Sequence, residues 1–131
     1  MIEDRDLPDG AASLTAAERL ERCIGRIEAR EPSLKAFCHL DFDAARREAL
    51  RLDALPPSER GLCTGVPIGI KEVFDAAGLR CAWGTPIHAG RVPAKDADAV
   101  ARLRSAGAVI VGTTTRPNTQ WAPAEATVNP L

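Results

Sequence analysis

Asp98-Ala99-Val100-Ala101-Arg102-Leu103-Arg104-Ser105-Ala106-Gly107-Ala108-Val109-Ile110-Val111-Gly112 is the stretch that decides the fold. Asp96 or Asp98 can cap a helix carrying Val100, Leu103 and Arg104, and Ala106-Gly107 reads as its C-terminal stop. Ala108 to Gly112 is then a continuous apolar run, the pattern of a strand buried on both faces. Helix, glycine, buried strand is an αβ unit, and it predicts an α/β fold with a parallel or mixed sheet.

The chain upstream supplies further elements of the same kind. Thr15 and Glu18 have capping-box spacing, and Ala17, Leu20, Ile24 and Ile27 form one apolar stripe. This helix is expected to stop near Glu31-Pro32, because a residue before proline is pushed out of the helical region. Leu34 to Leu40 suits a short strand. Asp43 can cap a second helix with Ala45, Ala49 and Leu52 on its inner face, broken by the loop Pro56 to Gly61. Val66 to Phe74 is apolar and β-branched, with Pro67 near its start, where a strand tolerates proline. Gly78 and Gly84 mark turns.

The ends differ from this middle. Residues 1–13 are polar and read as a flexible N-terminal arm, leaving 14–131 as the N-terminal portion of a single domain. Thr113 to Leu131 is a polar, proline-containing loop, long for a compact domain. It reads as a lead-in to polypeptide that the chain does not contain.

Composition narrows the function classes. The 131 residues are 45% hydrophobic and 27% charged, which fits a globular protein and not a disordered one. A net charge of −1 offers no electrostatic case for nucleic acid or an anionic membrane. No apolar run approaches the roughly 18 residues of a membrane span. Cys23, Cys38, Cys63 and Cys81 form no CxxC pair, and neither His39 nor His88 has zinc-ligand spacing, so no metal and no cofactor is expected. With no signal peptide, the expectation is a cytoplasmic protein with reduced, mostly buried thiols.

Lys71 is the chemically suggestive residue. In a strand, Ile68, Ile70 and Glu72 share one face while Gly69, Lys71 and Val73 take the other. A lysine held against glycine and small apolar neighbours in a covered sheet is partly desolvated, which disfavours its charged form. Moving its pKa from about 10.4 to near 7 takes about 4–5 kcal/mol, and a neutral amine is then a general base for a hydroxyl nucleophile. The alternative is a lysine with a buried stem, its ammonium in water or paired with Glu72 or Asp75. Position alone favours that alternative.

Gly65-Val66-Pro67-Ile68-Gly69-Ile70-Lys71-Glu72 resembles the catalytic-lysine segment of the amidase signature family of serine hydrolases. Thr15 to Glu31 is similar to that family's N-terminal helix, and Leu34 to Leu40 to its first strand. Gly78 to Gly84 resembles the turn after the lysine strand, and Asp98 to Gly112 its helix-plus-strand unit. Thr127-Val128-Asn129-Pro130 is similar to the Asn-Pro element before its serine loop. The matches keep family order over residues 14–130, and they reverse the judgement on Lys71.

The resemblance implies the N-terminal part of an α/β/α amidase-signature fold around a mixed sheet, incomplete in this chain. It also implies a Ser–cis-Ser–Lys triad acting on carboxamide C–N bonds, with Lys71 as the catalytic base. The partner implied is a small amide substrate once the missing portion is supplied. In the family both serines lie in a Gly/Ser-rich run after the Asn-Pro element, and the chain stops at Leu131 before any such run. Its own serines, Ser13, Ser33, Ser58 and Ser105, lie on expected helix ends and loops. The isolated chain is therefore expected to be inactive. The alternative reading is a non-catalytic remnant or interaction module that associates with itself or with a complementary fragment. Asn118 stands where the family usually has an acidic residue.

Other features carry less. Thr113-Thr114-Thr115 read as strand-end hydroxyls, Trp83 and Trp121 as packing, and Cys63 and Cys81 as buried thiols flanking the lysine element. Gly65, Gly69 and Gly84 make no phosphate-binding GxGxxG, and Arg46, Arg47 and Arg51 read as a solvated helix face.

Overall fold

The computed structural model describes residues 14–115. The N-terminal arm, Trp121, Asn118 and the Asn-Pro element lie outside the described residues. Helix α1 (Ala16–Leu34) begins at the expected capping box, with Glu18 N–H donating to Thr15 Oγ1 at 3.1 Å and Thr15 N–H to Glu18 Oε2 at 2.9 Å. It does not stop at Glu31 but runs through Pro32. In a last turn the proline removes a single bond, and Lys35, left-handed at φ 50°, closes the helix with its N–H on Glu31 C=O at 2.9 Å.

Strand β1 (Phe37–Leu40) is shorter than the expected Leu34 to Leu40, because α1 takes its first residue. Helix α2 (Phe42–Asp53) is capped by Asp41, not Asp43. Asp41 Oδ1 accepts Ala44 N–H at 2.9 Å, while Asp43 already lies in the first turn. Ala45, Ala49 and Leu52 are its buried face, as the sequence predicts. Asp53 reaches across to accept the Ala16 and Ala17 N–H groups at 2.7 and 3.0 Å, so the end of α2 also caps α1.

Strand β2 (Pro67–Lys71) ends earlier than Val66 to Phe74, because Phe74 N–H turns back onto Lys71 C=O at 3.0 Å. Helix α3 (Asp98–Ser105) follows Ala97, which supplies no side-chain cap. Asp96 is engaged elsewhere: it accepts Ala77 N–H at 2.7 Å and lies 3.0 Å from Arg104 Nε. Gly107, at φ 92°, makes the reversal into β3 (Val109–Thr114), which extends beyond Gly112 into the threonines. A Cβ there would also sit 2.6 Å from Thr64 Oγ1.

The sheet order is β1-β3-β2, with β3 antiparallel to β1 and parallel to β2. The sheet is mixed, as expected. On one face Leu20 and Ile24 of α1 and Ala45, Ala49 and Leu52 of α2 close over Val109 and Val111. On the other, Val100 and Leu103 of α3, with Ala76 and Leu79, close over Ile68, Ile70 and Ile110. This is an α/β/α arrangement, the pattern of a partial amidase-signature fold. Alternation along β3 feeds both cores, which is why its sequence is apolar without a break. A Cβ at Gly112 would meet His39 C=O at 2.2 Å, so glycine lets β1 come this close.

Candidate active site

Lys71 is the last residue of β2 and lies in register with Thr114, the last residue of the parallel β3. The two chains therefore leave the sheet at the same edge, the carboxyl ends of parallel strands, where open α/β sheets hold their ligands. Ile68 and Ile70 turn into the α3 core, and Lys71 takes the other side with Gly69. The expected desolvation is absent: Lys71 is exposed, because nothing among the described residues covers that face at the end of the strand.

The expected carboxylate partners are both occupied. Glu72 is 3% exposed, and its Oε1 accepts Ala82 N–H at 2.9 Å. Asp75 accepts both arms of Arg91, Nη1 to Oδ1 at 2.6 Å and Nη2 to Oδ2, and accepts Trp83 Nε1–H at 3.3 Å. The Arg91 guanidinium holds the Asp75 carboxyl below its ordinary value, against a smaller opposing effect of burial. Among the described residues neither carboxylate pairs with Lys71.

Around the lysine the backbone is tied firmly. Glu72 N–H donates to Thr114 C=O at 3.1 Å, and Cys81 Sγ donates to Glu72 C=O at 3.2 Å. Thr113, fully buried, donates its hydroxyl to Arg80 C=O at 3.1 Å. The segment 80–82 is thus bound to the ends of both β2 and β3. Burial, then the Asp75 charge, push the Cys81 thiol up, and burial does the same to Cys38. Cys81 is buried as the sequence predicts, whereas Cys63, expected to be buried too, is only partly so, like Cys23 and Cys38.

Trp83 continues this segment with φ 54° and is 39% exposed. The Arg91 guanidinium lies 4.1 Å over its ring, and His88 meets its edge at 5.3 Å. Trp83 is thus an exposed ring held by Arg91, His88 and Asp75 and not the core packing expected, and this assembly was not legible, since Asp75 and Arg91 are 16 residues apart with no periodic signal.

The described serines are placed away from Lys71 or bonded within their own helices. The Ser33 and Ser105 hydroxyls donate to Arg30 and Ala101 carbonyls of their own helices, both at 2.9 Å, and Ser58 lies in a single 3-10 turn. His39 is in β1 and His88 lies against Trp83, so no Ser/His set forms. No group of three His, Cys, Asp or Glu suited to a metal occurs among the described residues, and none of their helices is long and apolar enough to cross a membrane.

Comparison with known proteins gives a consistent picture. The family model described as Amidase matches residues 18–131. A putative amidase, AmiB2, of Mycobacterium tuberculosis is 44% identical over 123 residues, covering 91% of this chain and 25% of the relative. A glutamyl-tRNA(Gln) amidotransferase subunit of Chloroflexus aurantiacus is 41% identical over 104 residues, 78% of this chain and 21% of the relative. Among solved structures, the peptide amidase of Stenotrophomonas maltophilia superposes with a TM-score of 0.71 at 33% identity, over 79% of this chain and 22% of that one. A chain from a vestigial protein complex, described as revealing the origins of an s-triazine catabolic enzyme, gives 0.67 at 29% identity, over 79% and 23%. The chain spans about a quarter or less of the length of these relatives. The chain belongs to the Amidase family.

Proposed function

We propose that this chain is the N-terminal, lysine-bearing portion of an amide hydrolase, and that Lys71 is the base of a Ser–cis-Ser–Lys triad. The observation that carries the reading is the placement of Lys71: exposed, at the carboxyl end of a parallel strand, with Glu72 and Asp75 held by other partners. An amine left without a carboxylate is available for proton transfer, and polypeptide closing over this face would strip its water. In the completed site Lys71 Nζ takes a proton, through a bridging serine, from the nucleophilic serine. That serine attacks the carboxamide carbon, the amine leaves with a proton, and water releases the acid. Relatives that include a peptide amidase and a glutamyl-tRNA(Gln) amidotransferase support a carboxamide substrate.

Residues 1–131 alone are expected to hydrolyse no simple carboxamide, since they hold the base without the nucleophile. Turnover by the isolated chain that Lys71→Ala abolishes would overturn that expectation. In a longer polypeptide carrying this segment and a Gly/Ser-rich serine loop, Lys71→Ala is expected to lower kcat by about 10²–10⁴-fold. Unchanged kcat there would remove Lys71 from the chemistry.

A second reading, a non-catalytic association module, is favoured by the resemblance to a chain of a vestigial complex. On this reading the fold is kept for pairing with another polypeptide and not for turnover.

A further inference from the structure

We propose that Glu72 and Thr113 are positioning residues for Lys71, acting through the backbone of residues 80–82, which their side chains clamp across the ends of β2 and β3. The inference deepens the hydrolase reading and rests on Lys71 being the base. Glu72 and Thr113 are the two buried polar side chains among the described residues, 3% and 0% exposed. One follows Lys71 directly, and the other precedes Thr114, with which Lys71 is in register. Both direct their polar group at the same short segment. Glu72 Oε1 accepts Ala82 N–H at 2.9 Å, and Thr113 Oγ1 donates to Arg80 C=O at 3.1 Å. These contacts are internal to the fold, and neither depends on an exposed surface.

Packing alone does not call for polar groups at these two positions. Valine matches threonine in shape, and a carboxylate loses far more hydration on burial than a hydrocarbon does. The segment they hold belongs to no helix or strand, so its place is set by bonds to its neighbours. Its other bonds go to the same region. Cys81 Sγ donates to Glu72 C=O at 3.2 Å, and Cys81 N–H donates to Arg91 C=O at 3.0 Å. Arg80 Nη2 donates to Cys38 C=O of β1 at 2.9 Å. Arg91 is itself fixed on Asp75 through both arms. Residues 80–82 therefore tie all three strands to the turn that follows Lys71.

This clamp supplies what a base in this position needs. A carboxylate on an ammonium group would hold it in place but favours the charged form, which is no base. Among the described residues no carboxylate holds Lys71, so the backbone at the end of β2 decides where its side chain starts. Glu72 is bound there on both sides. Its N–H donates to Thr114 C=O at 3.1 Å, while its C=O and carboxylate are held by Cys81 and Ala82. Proton transfer works over hydrogen-bond distances, and a misplacement of about 1 Å costs on the order of 10²-fold in rate. Anchoring the neighbouring residue locates the lysine without pairing its charge.

The test pairs removal of each polar group with a conservative rescue. Thr113→Val and Glu72→Met delete the hydroxyl and the carboxylate, while Thr113→Ser and Glu72→Gln keep a donor and an acceptor. In the 131-residue chain, exchange of the Cys81 and Ala82 amides is expected to quicken at least about tenfold in the deletions and under about threefold in the rescues. In a longer polypeptide carrying the serine loop, the deletions are expected to lower kcat on a carboxamide at least about tenfold at unchanged KM. The rescues are expected to stay within about threefold of the parent. Ile24→Val loosens the α1–α2 core, controls for lost stability, and is expected to leave kcat unchanged. Should Glu72→Met not fold, Thr113→Val decides. Unquickened exchange in the deletions overturns the clamp. Unchanged kcat in the deletions, beside a loss in Lys71→Ala, overturns the positioning role and leaves the hydrolase reading standing. An equal loss in Ile24→Val also overturns it, and unchanged kcat in Lys71→Ala overturns both readings.

Discussion

At the scale of single residues, neighbours in sequence have opposite surroundings. Lys71 is exposed and Glu72, one residue on, is 3% exposed, because strand alternation and the turn at Phe74 send them to different sides. The buried Glu72 side chain has a hydrogen-bond partner, Ala82 N–H on its Oε1. Asp75 carries a pH signature. Arg91 lowers its folded pKa below the unfolded value of about 3.9, so the stabilisation is present above that value and is lost as pH falls through the folded one. Asp75→Asn is therefore expected to lower the urea midpoint at pH 7 and to flatten its decline below about pH 4. Parallel pH curves for the two proteins would show that the pair contributes no proton linkage. Because the pair is about a quarter exposed, solvent screens part of the effect.

Among the elements, local signals set starts better than ends. The Thr15–Glu18 box was legible because capping depends on residues three apart. Thr15→Ala is expected to destabilise the chain by about 1 kcal/mol, seen as a lower thermal midpoint at unchanged fold. The passage of α1 through Pro32 was not legible, since it depends on Lys35 adopting a left-handed conformation and on Glu31 receiving Phe37 N–H. The caps of α2 and α3 were misplaced for a related reason. Several aspartates stand near each start, and tertiary partners decide which one caps: Asp96 is drawn away by Ala77 and Arg104. The strand β2 is cut at Lys71 by a turn that its apolar continuation, Val73-Phe74, conceals.

For the whole molecule, two thin cores share one sheet, and β3 belongs to both. Ile24 is 2% exposed in the α1–α2 core, and Ile24→Ala is expected to cost about 2–5 kcal/mol, measured by denaturant unfolding. A loss under about 1 kcal/mol would mean that α1 is not held by this face. Family membership was legible from ordered motifs, and the apolar run of residues 108–112 by itself determined a buried central strand and hence the α/β class. Helix faces, and the residue types available for chemistry, followed from periodicity and composition in the same way. The strand order β1-β3-β2, the exposure of Lys71 and the Asp75–Arg91 clasp were decided only by tertiary structure. Periodicity says which face of an element is apolar, but a hydrogen-bond partner or a covering element is set by which distant segment arrives, and that information is spread over the whole chain.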